Sequence, residues 1–242
     1  MKISVLMPTY ECPSDLLMQS LASVFSQAHE DIELIIKDGS QNHSAIENVD
    51  VRNIYCAFAD KIVYVNAPET PPPDQIGRFG HNGFYEALNF CVQAATGDIL
   101  CLLCSDDELG AKDTLSYVNS EFEQHGSDPF LLYGSCDWID RNGKYIDAKK
   151  PPEVTFESLL RDYTLFTPAL FWNKAVHQNF GFFNQNLAWC ADMDFWLRCW
   201  RYIDTKRTTR TLGRYRVWDV SQARANEDSL QKQSLLIQKS HK

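Results

Sequence analysis

The first hundred residues alternate short apolar runs with segments in which apolar residues recur at helical spacing. The runs predict buried strands, and the helical spacing predicts helices that pack on them. The predicted strands are Ile3–Met7, Ile32–Ile36, Lys61–Val65 and Asp98–Cys104, and the predicted helices are Leu16–Phe25, with Ser14 as its N-cap, and Asn82–Ala95. This alternation predicts an α/β fold with a mostly parallel central sheet flanked by helices.

The second half of the chain is less regular. Its predicted strands are Phe130–Asp140 and Thr208–Trp218, and its predicted helices are Thr155–Asp162 and Ala191–Tyr202. Residues 219–242 are polar and predict a surface helix or a partly disordered tail. Pro68–Gly80 is rich in Pro and Gly and predicts a loop. Because 242 residues suffice for one α/β core, we expect residues 1–218 to form a single domain.

Charge and composition exclude several classes of protein. A net charge of −9 disfavours non-specific nucleic-acid binding, because phosphate backbones attract Lys and Arg. The N-terminal apolar run stops at Pro8, unlike a signal peptide, and no window approaches the roughly 18 apolar residues of a membrane span. We therefore expect a cytoplasmic protein. The eight cysteines predict buried thiols, because Cys101 and Cys104 have no second pair at zinc-binding spacing.

Polar clusters follow the predicted strands, at the sheet edge where α/β proteins bind ligands. Asp106-Asp107 comes directly after an apolar strand. Two adjacent, partly buried carboxylates repel each other, and a hard cation such as Mg²⁺ or Mn²⁺ relieves both that repulsion and the cost of burial. The alternative is a surface turn whose acids cap a helix beginning near Ala111.

Two further acidic segments have weaker signals. Asp38-Gly39-Ser40 follows a strand and predicts either an ordinary turn or a carboxylate and amide groups that face a nucleotide. Asp192 and Asp194 stand at the start of a predicted helix, where a carboxylate is either a simple cap or a functional group.

Together these segments resemble a known family. The matching segments, in chain order, are Ile3–Tyr10, Lys37–Ser40, Ala87–Asn89 with Ala95–Ile99, Ser105–Asp107, Gly181–Phe183 and Ala191–Arg198. They stand in the order of the GT-A family 2 glycosyltransferases, and the resemblance covers roughly residues 3–218. It implies a GT-A, Rossmann-like fold.

The resemblance also implies roles for individual residues. Asp106 and Asp107 match the acidic motif that binds the metal and the donor ribose, and Asp192 matches the general base. Donor contacts are implied, residue by residue, for Thr9, Glu11, Asp38, Asn89 and Arg216. The implied cofactor is Mn²⁺ or Mg²⁺, and the implied partners are a nucleotide-diphosphate sugar and a glycan or lipid-linked acceptor at the inner face of the membrane.

The chemistry expected of such a site is a single displacement. The leaving nucleoside diphosphate needs a cation, and the attacking hydroxyl needs a base. One base opposite the leaving group inverts the anomeric configuration, and the sequence offers no candidate for the second nucleophile of a retaining reaction. Trp189, Trp172 and Phe166 are either an acceptor wall that stacks on sugar rings or ordinary core aromatics.

Three positions depart from the family pattern. Lys37 stands where a second Asp often precedes Asp38, Pro68–Gly80 is longer than the usual connection, and Trp218 replaces the histidine of an Arg-x-His motif. Two alternative functions stay open. A glycine-rich basic loop after the first strand would favour a nucleotidyltransferase, and Thr9–Pro13 is neither glycine-rich nor basic. A non-catalytic nucleotide-sugar-binding protein stays open because the histidine is missing. The oligomeric state is open as well.

Overall fold

The computed structural model describes residues 1–40, 47–66, 83–218 and 227–241. The described strands are β1 Ile3–Thr9, β2 Ile32–Asp38, β3 Ile62–Asn66, β4 Ile99–Leu102, β5 Glu108–Leu109, β6 Phe130–Ile139, β7 Tyr145–Lys149, β8 Leu170–Asn173 and β9 Asp204–Arg216. The described helices are α1 Ser14–Phe25, α2 Val49–Ala57, α3 Phe84–Ala94, α4 Thr114–His125, α5 Phe156–Arg161, α6 Ala175–Phe180, α7 Ala191–Cys199 and α8 Glu227–Ser240. Short 3₁₀ turns span Thr167–Ala169 and Trp200–Tyr202.

The strands form one curved sheet in the order β3-β2-β1-β4-β8-β6-β9-β5, with β7 paired to β6. The first four strands are parallel, and β8 pairs antiparallel with β4 and with β6. The long strand β9 runs parallel to β6 and carries β5 on its other edge. The α/β architecture expected from the sequence is therefore confirmed, with an antiparallel extension that the alternating pattern did not indicate.

Both faces of the sheet are covered. Alternate residues of β1 enter two separate clusters, with Leu6 on one face and Val5 on the other. Helices α3 and α7 cover the first face, and α1 and α4 cover the second. All four residues of β4 are buried, which explains why that strand reads as a continuous apolar run.

Several boundaries differ from the predictions. Strands β1 and β2 each run two residues further, to Thr9 and Asp38, and β4 ends at Leu102. The predicted N-cap is wrong, because Pro13 holds the cap position of α1 and no side chain caps it. The predicted Pro68–Gly80 loop lies outside the described residues. The short elements β5, β7, β8 and α6 were not predicted, because two to six residues carry too little periodicity.

The polar C-terminal segment contains α8, which packs against α7. Ile237 is 4% exposed and belongs to the α3–α7 cluster. Gln233 Oε1 accepts a hydrogen bond of 2.6 Å from the backbone N–H of Trp189, and His241 Nε2 lies 3.0 Å from Asp194 Oδ1. Residues 219–226 and 242 lie outside the described part. Within the described residues, every helix is too short or too polar to cross a bilayer.

Candidate functional site

A cavity of about 510 Å³ lies beyond the carboxyl ends of β1 and β4. Its lining is the run from Pro8 to Pro13, the run from Cys104 to Asp107, and Phe84, Tyr85, Ala188, Trp189, Tyr215 and Trp218. Parallel strands place their carboxyl ends at one edge, and the loops that follow them meet there. The cavity therefore brings together the expected residues Thr9, Glu11 and the Asp106–Asp107 pair, with Trp189 on another side.

The acidic pair forms the most strongly charged part of this lining. Asp107 is 1% exposed, and Asp106 is half-buried. Burial, with the neighbouring Asp106 charge, raises the pKa of Asp107 well above its usual value. An ionised carboxylate in this position is costly, and a cation at the pair would relieve the cost. The pair therefore fits a divalent ion that prefers oxygen ligands.

Residues at the end of β9 donate hydrogen bonds to the acidic pair. The backbone N–H of Arg216 donates to Asp107 Oδ1 at 2.8 Å, and Arg216 Nε donates to the Asp106 carbonyl at 2.7 Å. The indole N–H of Trp218 donates to Asp106 Oδ2 at 2.9 Å. A strand remote in sequence thus fixes the loop that follows β4.

The structure places the Arg216 guanidinium beneath the acidic loop, away from the cavity lining. Its side chain is fully buried, and all its N–H groups are used. Nε donates to Asp106 O, Nη1 to Asp140 O and Arg141 O, and Nη2 to Gln19 Oε1 and the Glu108 carboxylate. In this conformation Arg216 supports the acidic loop, and a direct contact with the donor stays a prediction.

Thr9 and Glu11 line the cavity, whereas Asp38 lies behind them. Thr9 Oγ1 donates to Ser105 Oγ at 3.0 Å, which links the loops after β1 and β4. Glu11 has a φ of 46°, a rare conformation for a residue with a side chain, and its N–H donates to Ser40 Oγ at 2.7 Å. Asp38 is fully buried and accepts from Ser40 N–H at 2.9 Å and Tyr64 O–H at 2.7 Å, so it shapes this turn.

Asn89 joins α3 to the segment before α7. Its Nδ2 donates to Phe183 O at 2.9 Å, and its Oδ1 accepts from Phe183 N–H at 3.1 Å. The side chain is 6% exposed and does not belong to the cavity lining. The structure therefore shows a bridge within the protein, and a donor contact by Asn89 stays a prediction.

Asp192 lies in the first turn of α7 and contacts the wall of the cavity. Tyr85, which lines the cavity, donates its O–H to Asp192 Oδ1 at 2.8 Å. Burial and the Asp192 charge raise the pKa of Tyr85 well above its usual value, so the phenol is a proton donor in this bond. The sequence interpretation missed Tyr85; the signal was its position four residues before Asn89, on the same face of α3.

The three aromatic candidates for an acceptor wall are separated in the structure. Trp189 is half-buried and lines the cavity. For Trp172 the acceptor-wall expectation is wrong: its side chain is 1% exposed and packs with its ring centroid 5.4 Å from that of Trp196, so no face is open to a sugar. Phe166 packs against the core cluster on the α1–α4 face.

The described residues contain no group of three or more metal-binding side chains of the His, Cys, Asp and Glu types. Asp106 and Asp107 would therefore hold an ion together with oxygen atoms of a bound ligand or water. This arrangement suits Mg²⁺ and Mn²⁺, which accept one or two carboxylates plus phosphate oxygens.

Comparison with known proteins identifies the same region of the chain. The family model for glycosyl transferase family 2 matches residues 4–132. A PGL/p-HBAD biosynthesis glycosyltransferase of Mycobacterium tuberculosis is 29% identical over 196 residues, which cover 81% of this chain and 68% of the relative. An uncharacterized glycosyltransferase of Methanocaldococcus jannaschii is 22% identical over 201 residues, covering 81% of this chain and 64% of the relative.

Solved structures show the same fold. The Staphylococcus aureus TarS 1–349 structure in complex with UDP-GlcNAc superposes with a TM-score of 0.68 and 17% identity, over 98% of this chain and 66% of that one. A mannosyltransferase of Pyrobaculum calidifontis, in complex with GDP-Man and Mn²⁺, gives a TM-score of 0.64 and 15% identity, over 98% of this chain and 62% of that one. The chain spans between 37% and 66% of the length of the TarS chains that it matches.

Proposed function

The chain belongs to glycosyl transferase family 2, and we propose that it moves a sugar from a nucleotide-diphosphate donor to a hydroxyl of a glycan or lipid-linked acceptor, with inversion. The observation that carries this proposal is the buried Asp107 beside Asp106 in the lining of the cavity. A carboxylate whose pKa is raised by burial, in a cavity at the carboxyl edge of the sheet, is typical of a site prepared for a charged ligand.

Asp106 and Asp107 would hold the divalent cation. When bound, the cation neutralises the charge that develops on the leaving nucleoside diphosphate. The loop Thr9–Glu11 and Ser105 form the adjoining wall, and Asp38 keeps that wall in shape through Ser40. The solved relatives hold UDP, UDP-GlcNAc and GDP-Man, which makes uridine and guanosine donors the first to test.

Asp192 is the proposed general base. It accepts the proton of the attacking hydroxyl while the new bond forms between that oxygen and the anomeric carbon. The bond from the anomeric carbon to the diphosphate oxygen breaks, and its electron pair leaves with the diphosphate. Tyr85 holds one carboxylate oxygen of Asp192 through its 2.8 Å hydrogen bond, which orients the base at the cavity wall. Trp189 supplies an aromatic surface on which an acceptor sugar would stack.

A panel of nucleotide sugars tests the proposal. Thermal unfolding is measured with UDP- and GDP-sugars, each with and without Mn²⁺, because a ligand of the native state raises the unfolding temperature. We expect one donor to stabilise the protein and Mn²⁺ to enlarge its effect. Slow release of free sugar from that donor then separates an enzyme from a binding protein. The initial anomer of the product, observed by NMR, distinguishes inversion from retention.

A further inference from the structure

Trp218 is a residue that the proposed reaction does not yet use. It stands two positions after Arg216, at the end of β9, and its half-buried ring lines the cavity. Its indole N–H donates to Asp106 Oδ2 at 2.9 Å. The ring is neither a detached lid nor a core side chain, because one edge faces the cavity and its polar atom is bonded to the acidic pair.

A second contact of the indole is made by a cation. The guanidinium of Arg141 lies 5.8 Å from the centre of the indole. Arg141 is itself held by Asp15 through two hydrogen bonds of 2.7 and 3.0 Å. Its backbone carbonyl accepts from Arg216 Nη1 at 3.1 Å. The indole therefore contacts Asp106 and Arg141 of the β6–β7 turn, and Arg141 is in turn held by Asp15 of α1 and Arg216 of β9.

An indole N–H can donate a hydrogen bond but offers no lone pair to a metal ion. A histidine in this place could donate a hydrogen bond through one ring nitrogen or bind a metal ion through the other. Trp218 therefore cannot ligate a cation, and its contribution to the site is confined to the carboxylate that it touches. The backbone N–H of Arg216 likewise donates a hydrogen bond to one oxygen of the other carboxylate, Asp107 Oδ1. Within the described residues, Asp106 Oδ1 and Asp107 Oδ2 accept no hydrogen bond, so each carboxylate keeps one oxygen available.

We propose that Trp218 is a positioning residue that locks one oxygen of Asp106 and leaves the other for a divalent cation. The proposal rests on the cation site proposed above. Hydrogen bonds to ligating carboxylates orient them, and their loss typically costs about 10- to 100-fold in metal affinity. Because Trp218 adds no ligand of its own, the ion depends on phosphate oxygens of the nucleotide. Metal and nucleotide should therefore tighten each other's binding, and thermodynamic linkage makes the two factors equal.

NMR of the six tryptophan indoles tests the contact without any nucleotide. The Trp218 signal is identified by its loss in Trp218→Phe. We expect its proton to exchange slowly with water and its signal to shift in Asp106→Asn, because a charged acceptor becomes a neutral one. Mn²⁺ alone, at millimolar concentration, should broaden this signal more than that of Trp138. Rapid exchange, no shift in Asp106→Asn, or equal broadening of both indoles would overturn the proposal.

Calorimetry tests the consequence. UDP and GDP are titrated with and without Mn²⁺ into the wild type, Trp218→Phe, Trp218→His and the control Trp138→Phe. Trp138 lies on β6 beside Tyr215 of β9, and its indole N–H has no hydrogen-bond partner among the described residues. The control therefore makes the same chemical change without touching a carboxylate.

We expect Trp218→Phe to reduce the Mn²⁺-dependent tightening of the nucleotide by about tenfold or more, and Trp138→Phe to leave it unchanged. Trp218→His can hold Asp106 through an N–H or bind the ion through its other ring nitrogen, and by either route it should preserve the tightening. Equal losses in Trp218→Phe and Trp218→His would assign the effect to packing and refute the hydrogen-bond role. If the wild type binds neither nucleotide, the proposed donor is wrong, while the indole signals still decide whether Trp218 holds Asp106 for Mn²⁺.

Discussion

Two buried carboxylates have opposite surroundings. One lies where the amino ends of the parallel strands meet (the amino edge), and the other lies where their carboxyl ends meet (the carboxyl edge). Glu33 stands at the start of β2 and accepts hydrogen bonds from Ser4 Oγ at 2.5 Å, Thr96 N–H at 2.6 Å and Gly97 N–H at 3.0 Å, with the Lys2 ammonium 2.7 Å away. Asp107, beyond the end of β4, accepts one hydrogen bond from described residues, and its neighbour Asp106 is another anion.

The pKa values of the two carboxylates are shifted in opposite directions. Burial alone would raise the pKa of Glu33, but the hydrogen bonds from Lys2, Ser4 and Thr96 outweigh it and lower that pKa to about 2. Burial and Asp106 raise the pKa of Asp107 instead. Buried groups with poorly compensated charge cluster at functional sites, so we expect the amino edge to govern stability and the carboxyl edge to govern activity.

The largest expected effect is that of Asp107→Asn on transfer. A cation that stabilises the leaving diphosphate contributes several kcal/mol to the transition state, so the rate should fall by about 10⁴-fold or more. The same change removes a poorly compensated buried charge, so the unfolding temperature of the ligand-free protein should rise. Rates and unfolding temperatures are measured together. Full turnover of Asp107→Asn at saturating Mn²⁺ would contradict the metal role.

Asp192→Asn should lower transfer by about 10²- to 10⁴-fold while donor affinity stays unchanged, because a positioned base acts on the acceptor hydroxyl. The matched control is Asp194→Asn, two residues along α7. Asp194 contacts Arg198 at 3.1 Å and His241 at 3.0 Å rather than Tyr85, so its loss should affect stability more than rate. Donor affinity that collapses in Asp192→Asn would instead assign Asp192 to the donor site.

Glu33→Gln should show the reverse pattern to Asp107→Asn. The amide cannot pair with Lys2, and its NH₂ group faces hydrogen-bond donors. Hydrogen bonds to charged groups contribute about 1.5–3 kcal/mol each, so we expect a loss of about 2–3 kcal/mol in the free energy of unfolding. Chemical denaturation measures this loss, and the transfer rate at 25 °C should stay within about twofold of the wild type. A large rate defect in the folded variant would remove the distinction between the two edges.

The smallest effect is a pH dependence. The pKa of Glu33 is lower in the folded protein than its ordinary value of 4.5, so its contribution to stability is complete above pH 4.5 and is lost as the pH falls toward 2. Asp107 has the opposite sign: its contribution is lost as the pH rises above 3.8, because its folded pKa is raised. Wild type and Glu33→Gln should therefore differ at pH 7 and converge near pH 2 in denaturant titrations.

The sequence predicted those features that depend on local pattern. The apolar runs of β1 and β4 indicated buried strands, and their position indicated that Asp106-Asp107 lies at the ligand-binding edge. Partners distant along the chain were not predictable, because periodicity reports burial and not which residues meet. Arg216 was expected at the donor, yet it lies under the acidic loop. Trp172 and Trp189 have similar sequence signals, and packing alone separates the core residue from the cavity residue.

The position of β9 has a consequence for the order of folding. The family match ends at residue 132 and includes both aspartates, but the groups that pin them come from residues 216 and 218. Arg216 also contacts Gln19, which is 197 positions away. Closing so long a loop is slow, and β9 must enter between β6 and β5 before these contacts form. A nascent chain therefore carries its acidic loop unpinned until residue 218 has been synthesised and β9 has joined the sheet.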